Sequence, residues 1–271
     1  MIAIAGAIVV LLLVILSYMY FVHREKITAD AIVKSVDPEM FEGFQPRTEK
    51  LTVDRITQYK IFNSLGFAHP RIYAALENVL KTANILDNFV LKSATMFGTD
   101  NVIAYKKGVD VLQGCDLTRK ELVDKIVTTR EPFVEEFLPV SFEMRFVVYW
   151  GRVILASVFN RGQLFGRDYG VVLRAGKYLP AIAGGNKIID LYWCEMIWPE
   201  LVKEVEDLAG LLETSRLTVD VIYSEEKQVG GIYYIGFGDA EAEFSPNIQG
   251  ALQKIRGLCQ DVHPQPSPTH P

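Results

Sequence analysis

The sequence predicts an α+β (α/β) fold of two lobes, each with a largely antiparallel sheet and flanking helices, preceded by a transmembrane helix. Three observations predict it. Ile2 to Val22 carry no charge. Short apolar runs then alternate with amphipathic stretches and no repeat is visible. Finally, an apolar run that stops at Leu138-Pro139 and resumes at Met144 marks a hinge between lobes. The 271 residues suffice for one full α/β domain or two small ones, at about 100–200 residues per domain.

The N-terminal stretch is long enough to cross a hydrocarbon core of about 30 Å as a helix. It lacks the basic segment that opens a signal peptide. The small-x-small site Ala29-Asp30-Ala31 lies beyond His23-Arg24-Glu25-Lys26, so a retained anchor at 2–22 is expected. Tyr18, Tyr20, Arg24 and Lys26 mark its C-terminal interface, and the positive-inside bias places the remainder in the cytoplasm. Residues 23–50 read as a polar connector and 259–271 as a Pro-rich tail without fold. Between them, strands are expected at 71–74, 88–92, 102–105, 133–137, 144–149, 153–159, 170–173, 217–223, 232–237 and near 240–244. Helices are expected at 54–65, in part of 72–83, at 118–127 and at 198–214. In the last, Leu201, Val205, Leu208, Leu211 and Leu212 form one apolar face.

Composition excludes several functions. The net charge is −5 and the basic residues are scattered, so no positive stripe offers itself to a nucleic-acid backbone. Cys115, Cys194 and Cys259 are widely spaced, and His23, His69, His263 and His270 include two in the tail. That pattern argues against a zinc centre, a disulfide framework and a His-based triad. Walker A and GxGxxG sequences are absent, which removes the P-loop and Rossmann readings.

Three segments carry candidate chemistry. In Leu217-Thr-Val-Asp220-Val-Ile-Tyr223 one aspartate interrupts an apolar strand, and a buried carboxylate needs an exposed face or a cation. In Ala240-Glu241-Ala242-Glu243-Phe244-Ser245-Pro246 the two glutamates share one face of a strand. Magnesium takes hard oxygen ligands of this kind together with substrate phosphates; the alternative is a solvated strand face. In the second segment, Lys92 ends an apolar strand before the small-residue loop of 93–101, placed either to reach a phosphate or to end the strand in solvent. The third runs from Phe133-Val-Glu135-Glu136-Phe137-Leu138-Pro139 to Glu143-Met144-Arg145. Its broken strand would free backbone groups for an adenine edge, with Glu143 beyond for ribose hydroxyls, or it is a β-meander with acidic residues outward.

Taken in order, these segments resemble the ATP-grasp superfamily, with the closest likeness to its teichuronopeptide-biosynthesis (TupA-like) branch. Asp54-Arg55 followed by Leu65-Gly66-Phe67-Ala68-His69-Pro70 resembles the family's Asp-Lys helix and following turn. Phe89-Val-Leu-Lys92 resembles its phosphate-lysine strand. Val134-Glu135-Glu136-Phe137-Leu138 with Glu143-Met-Arg-Phe resembles the adenine hinge and ribose carboxylate. Val219-Asp220-Val-Ile-Tyr223, Gly231-Ile-Tyr-Tyr and Glu241-Ala-Glu243-Phe-Ser-Pro246 resemble the metal-binding end.

The likeness spans residues 51 to about 250, and it implies lobes at 51–133 and 134–258 that grip ATP. It implies nucleotide binding by Arg55, Lys92, Glu135, Glu136, Leu138 and Glu143, catalysis by Lys92 and Arg145, and Mg2+ held by Asp220, Glu241 and Glu243. There are departures. Arg55 stands where many members have lysine, and Glu243 stands where Asn or Thr is usual. Thr218 replaces an arginine, leaving transition-state charge to Arg216, Arg145 or Arg174. No separate N-terminal substrate domain is expected.

The implied function is an ATP- and Mg2+-dependent carboxylate-amine ligase at the membrane. It would act through an acylphosphate on a cell-surface or polysaccharide-related substrate, with an acidic or amine-bearing acceptor. The alternatives are a kinase of a sugar or polymer hydroxyl and a catalytically degenerate nucleotide-binding protein. Acceptor contacts are sought in 160–190, where Arg161, Arg167, Arg174, Lys177 and Lys187 cluster among glycines, unless this is an exposed basic loop.

Overall fold

The computed structural model describes residues 2–48, 51–96, 102–140, 142–159, 170–180, 198–224, 231–239 and 244–262; the side chains of 2–8, 21, 159 and 180 are not described. Helix α1 (Ile2–Lys34) runs well past the expected anchor. Its described apolar side chains from Val9 to Leu16, with Tyr18, Met19, Tyr20 and Val22, stand 41–69% exposed. Among the described residues, no helix is long and apolar enough to cross a membrane. The span expected at 2–22 rests in part on side chains outside that set.

The expected connector of 23–50 is corrected by the structure. The C-terminal half of α1 buries Thr28, Ala29 and Ile32, and a 3-10 turn, Pro38–Phe41, follows with Asp37 as its N-cap. Ala29, Ile32 and Phe41 pack with helix α6 (Pro246–Val262) around Ile248, Ala251, Leu252, Ile255 and Cys259. These α6 residues recur at helical spacing and form one stripe. The helix was not expected, and the tail assigned from 259 is helical up to Val262. Gly250 and Gly257 weaken its helical pattern in sequence, whereas Pro246 sits where a first-turn proline is favourable.

The first sheet contains β1 (Ile72–Ala75), β2 (Asn88–Ser93), β3 (Val102–Lys106), β4 (Val109–Asp110), β5 (Cys115–Asp116) and β6 (Pro132–Glu135). Its order is β1-β6-β2-β3-β4-β5, antiparallel at each pairing. Helices α3 (Val79–Ala83) and α4 (Arg119–Thr128) cover one face, where Val79, Ala83, Leu122 and Ile126 meet Phe89, Leu91, Ile103, Tyr105 and Val134. Because side chains alternate, Lys92 and Glu135 fall on the other face. Only 79–83 of the helix expected within 72–83 forms, since Ile72–Ala75 pairs with β6.

The second sheet contains β7 (Phe142–Tyr149), β8 (Arg152–Phe159), β9 (Gly170–Leu173), β10 (Tyr178–Pro180), β11 (Arg216–Ser224) and β12 (Gly231–Gly238), in the order β10-β9-β8-β7-β11-β12. The β7–β8 hairpin turns at Trp150-Gly151, both with positive φ, the conformation that matches strand twist in a two-residue turn. Gly151 is required there, since a Cβ would lie 2.5 Å from the Phe44 ring. Helices α2 (Arg55–Ser64) and α5 (Trp198–Leu212) pack on the face carrying Phe142, Met144, Phe146 and Val148. The C-terminal half of α1 and α6 cover part of the opposite face, at Val147, Tyr149, Leu155 and Val171. The lobes divide after Glu135, because β6 belongs wholly to the first sheet. The strand expected near 240–244 falls mostly on 240–243, outside the described residues.

Candidate functional site

Helix α2 joins the two sheets and builds the site. Asp54 caps it, its carboxylate accepting from the Thr57 amide at 3.0 Å and the Thr57 hydroxyl at 2.6 Å; these bonds hold its pKa below the usual carboxylate range. Arg55 is thereby fixed beside the end of β2. Its backbone amide donates to the Ala94 carbonyl at 2.9 Å and its Nη1 to the Ser93 carbonyl at 3.3 Å. Burial lowers the Arg55 pKa, opposed by the negative charges of Glu135 on the first sheet and Asp220 on the second. One guanidinium therefore lies within electrostatic reach of both lobes.

Two residues on α2 escaped the sequence reading. Gln58 is buried, and its amide donates to the Val53 carbonyl and the Phe237 carbonyl while its carbonyl accepts from the Phe237 amide. It behaves as an added peptide unit along β12, which is the edge of its sheet. Tyr59 lies one turn after Arg55, on the same side of the helix; that spacing was the available signal. Its hydroxyl donates to Glu135 Oε2 at 2.6 Å and approaches the Ile235 carbonyl at 3.4 Å. Lys92 Nζ donates to it at 3.2 Å, and the His69 ring stacks on it at 5.1 Å between centroids. Burial first, and then the Glu135 charge and hydrogen bond, push the Tyr59 hydroxyl far above its ordinary pKa. It is a fixed proton donor.

Lys92 and Glu135 complete this cluster with an ion pair at 2.5 Å. The register explains it: Lys92 faces Phe133 and Val90 faces Glu135, so the two charges are diagonal neighbours on one face. Lys92 is 7% exposed and Glu135 2%. Lys92 is thus neither a solvated strand end nor a lone point charge, and Glu135 faces the lysine.

On the second sheet, Arg145 and Asp220 stand directly opposite each other on β7 and β11. The guanidinium grips the carboxylate with Nε to Oδ1 at 2.6 Å and Nη2 to Oδ2 at 3.0 Å. The same register row continues through Ser157 on β8 and Gly236 on β12, on the same face as Val147 and Tyr149, which α1 and α6 cover only in part. Glu143 shares that face by alternation and is 8% exposed. At the hinge, Leu138 packs with Ile222 and Tyr233, while the Glu136 amide donates to the Arg71 carbonyl at 2.8 Å.

Of the three arginines considered as replacements at Thr218, Arg145 is the one at Asp220. Arg216 is paired with Asp239, and Arg174 joins Arg152 on Glu206 at 3.0 and 3.1 Å. Arg174 therefore ties the end of β9 to α5. Arg161, Arg167 and Lys187 lie outside the described residues, as do Glu241 and Glu243.

A magnesium ion does not fit the described donors as they stand. Both oxygens of Asp220 are engaged by Arg145 and both of Glu135 by Lys92 and Tyr59. Among the described residues there is no group of three His, Cys, Asp or Glu side chains placed to hold a metal. A cavity of about 260 Å3 lined by Phe67, Glu200, Glu204 and Tyr234 flanks α5, apart from this cluster.

No family model matches the chain, and no curated protein matches it. Among solved structures, the chain is similar to the ATP-grasp ligase PsnB complexed with a phosphomimetic variant of its minimal precursor, Mg and ADP, with 11% identity, TM-score 0.49, and coverage of 78% of this chain and 59% of that one. It is similar to D-alanine–D-alanine ligase from Bacillus anthracis complexed with ATP, with 13% identity, TM-score 0.47, and coverage of 78% and 65%. It is also similar to the macrocyclase MdnC bound with precursor peptide MdnA from Microcystis aeruginosa MRC, with 12% identity, TM-score 0.42, and coverage of 74% and 60%. In each case the chain spans less than two thirds of its neighbour's length.

Proposed function

We propose that the cleft between the two sheets binds ATP and that the protein is a membrane-anchored ligase of the ATP-grasp type. The observation that carries this reading is the position of Arg55, which ties to β2 beside Lys92 while its charge reaches Glu135 on one sheet and Asp220 on the other. Lys92 and Arg55 bring two cations to the end of β2, and the Arg55 charge is felt at Asp220, the partner of Arg145. Such preorganised charge is what phosphoryl transfer needs, since the protein's part there is positioning and electrostatic stabilisation. The order of motifs from Asp54 to Pro246 supports the same reading.

In this reaction a substrate carboxylate oxygen attacks the γ-phosphorus of ATP, releasing ADP and forming an acylphosphate. An amine then attacks the acyl carbon, inorganic phosphate leaves, and an amide bond remains. Lys92 and Arg55 would hold the polyphosphate, Arg145 would meet charge developing on the transferred group, and Glu143 would hold ribose hydroxyls. Mg2+ would enter with the nucleotide, and Glu241 and Glu243 are its candidate ligands. The exposed apolar side chains of α1 from Val9 to Val22, with the charge-free sequence from Ile2, support a single-pass anchor, and Arg24 and Lys26 after it support a cytoplasmic domain through the positive-inside bias. A cell-surface or polysaccharide-related acceptor fits that location.

The direct test is calorimetric titration of the full chain with ATP in detergent. ATP should bind, and binding should fail in the double variant Lys92→Met with Glu135→Gln, which removes both charges of the buried pair together. A folded wild-type protein that takes up no ATP overturns the reading. The engagement of Asp220 by Arg145 favours one second reading, a nucleotide-binding protein without turnover; binding with no acceptor-dependent ADP release would select it.

A further inference from the structure

Resting on the membrane anchor in the reading above, we propose that the C-terminal half of α1 and the first turn of α6 form one rigid foot that seats the second lobe directly on phospholipid headgroups. The boundary is marked on α1 itself. Arg24 Nη1 donates to the Tyr20 hydroxyl at 3.1 Å, and its guanidinium lies 5.9 Å from the Tyr20 ring centroid. A tyrosine with a cation drawn back over its ring is the pairing expected where a helix leaves hydrocarbon for the headgroup layer. Val22 ends the charge-free run, and the helix continues unbroken to Lys34.

The tether is too short to act as a stalk. The headgroup layer is about 5–8 Å deep, the difference between the whole bilayer and its hydrocarbon core shared between two sides. At about 1.5 Å per residue, Glu25 stands roughly 5 Å beyond Val22 and Thr28 roughly 9 Å. Glu25 Oε2 accepts from Asn247 Nδ2 at 3.0 Å, which pins the first turn of α6 at the depth of the headgroups. Thr28, Ala29 and Ile32 are buried, so the core of the lobe begins where the headgroup layer ends.

The chemistry of this surface fits lipid. Lys26 is exposed and Ile27 is 56% exposed, offering a cation to phosphate and an apolar side chain to the acyl boundary. Glu25, the one acid between residues 23 and 29, is turned to Asn247. The foot also adjoins the candidate site. Phe244 and Ile248 pack in one cluster with Val147, and Val147 shares its sheet face with Arg145, two residues along β7. The headgroup contact and the Arg145–Asp220 row therefore lie on one face of the second sheet.

The test is electron paramagnetic resonance on the full chain in phosphatidylcholine vesicles that include a lipid with a chelated gadolinium headgroup. In a Cys115→Ser, Cys194→Ser background, which keeps the buried Cys259, single nitroxide labels are placed through Ile27→Cys or Gln249→Cys. Gadolinium should shorten the relaxation time of both labels to a comparable extent. A flexible insertion of about ten Gly and Ser residues between Val22 and His23, spanning roughly 17 Å, should lengthen both times together, several-fold. Strong relaxation at Ile27 with none at Gln249 overturns the proposal, as does relaxation at Gln249 that the insertion leaves unchanged. Failure of the chain to float with the vesicles overturns the anchor reading and the seating with it.

Discussion

Lys92 and Glu135 sit as diagonal neighbours on β2 and β6, joined at 2.5 Å and sealed from solvent, with the Tyr59 hydroxyl bonded to both. Desolvating two charges is compensated only while both are present. Lys92→Ala should therefore cost about 3–5 kcal/mol by stranding Glu135, while Lys92→Met with Glu135→Leu should be close to neutral. Tyr59→Phe, which removes one hydrogen bond to a charged group, should cost about 1.5–3 kcal/mol. Denaturant unfolding of the variants measures all three, and equal losses in Lys92→Ala and in Lys92→Met with Glu135→Leu would contradict the pairing.

Gln58 tests the joint between α2 and the second sheet. Its amide satisfies both the carbonyl and the N–H of Phe237, and Gln58→Ala leaves these groups buried without that partner, at about 1–3 kcal/mol. Gln58→Glu should be worse than Gln58→Leu below the unfolding transition, because a carboxylate cannot donate to the carbonyls of Val53 and Phe237. Hydrogen exchange at the Phe237 amide should quicken in each variant while amides of β7 stay protected.

The C-terminal half of α1 belongs to the core of the second lobe. A chain that begins at Arg24 retains Thr28, Ala29 and Ile32 and should unfold cooperatively at nearly the wild-type temperature. A chain that begins at Val36 uncovers the stripe of Ile248, Leu252 and Ile255 and should bind a hydrophobic dye and aggregate. Ile32→Ala alone should cost about 2–5 kcal/mol, the range for emptying a buried aliphatic site.

Two N-caps set an acid limit. Asp54 has its pKa lowered chiefly by the Thr57 side-chain bond, and Glu121 by the Thr118 side-chain bond within a capping box. For a depressed carboxylate the native state binds fewer protons than the unfolded chain, so its contribution is full above the unfolded pKa and is lost as pH falls through the folded one. Thermal midpoints should drop below about pH 4, the ordinary carboxylate range, and Thr57→Val with Thr118→Val should flatten that drop.

Burial pushes the Cys259 thiol up to about 12, whereas Cys115 is exposed. In a Cys194→Ser background, a thiol reagent at pH 8 should label Cys115 in the native protein and Cys259 only on unfolding. Immediate labelling of both would show that α6 does not pack as described. For a raised thiol pKa the native state retains the proton longer, so stability should decline as pH rises above about 9.

Much of the fold was legible because it is written in local periodicity. The strands around 88–92, 102–105, 144–149, 153–159, 170–173, 217–223 and 232–237 form at those places, and the apolar face of α5 buries Leu201, Val205 and Leu208 as its spacing requires. Helix α6 was missed although its stripe of Ile248, Ala251, Leu252, Ile255 and Cys259 recurs at helical spacing, since Gly250 and Gly257 weaken the helical pattern and only the sheet and α1 supply what the stripe packs on. Glu241 and Glu243 stay an inference from sequence.

By itself the sequence determined which residues carry charge into apolar strands: Lys92, Glu135, Arg145 and Asp220 all stand out in one dimension. Alternation then fixed that Lys92 and Leu91 must face opposite ways. Only the tertiary structure decided which face each helix would cover, and so that Lys92 would meet Glu135 and Asp220 would meet Arg145. The physical reason is that a strand's two faces are equivalent until distant segments dock on one of them, and partners brought together by strand register are 43 and 75 residues apart.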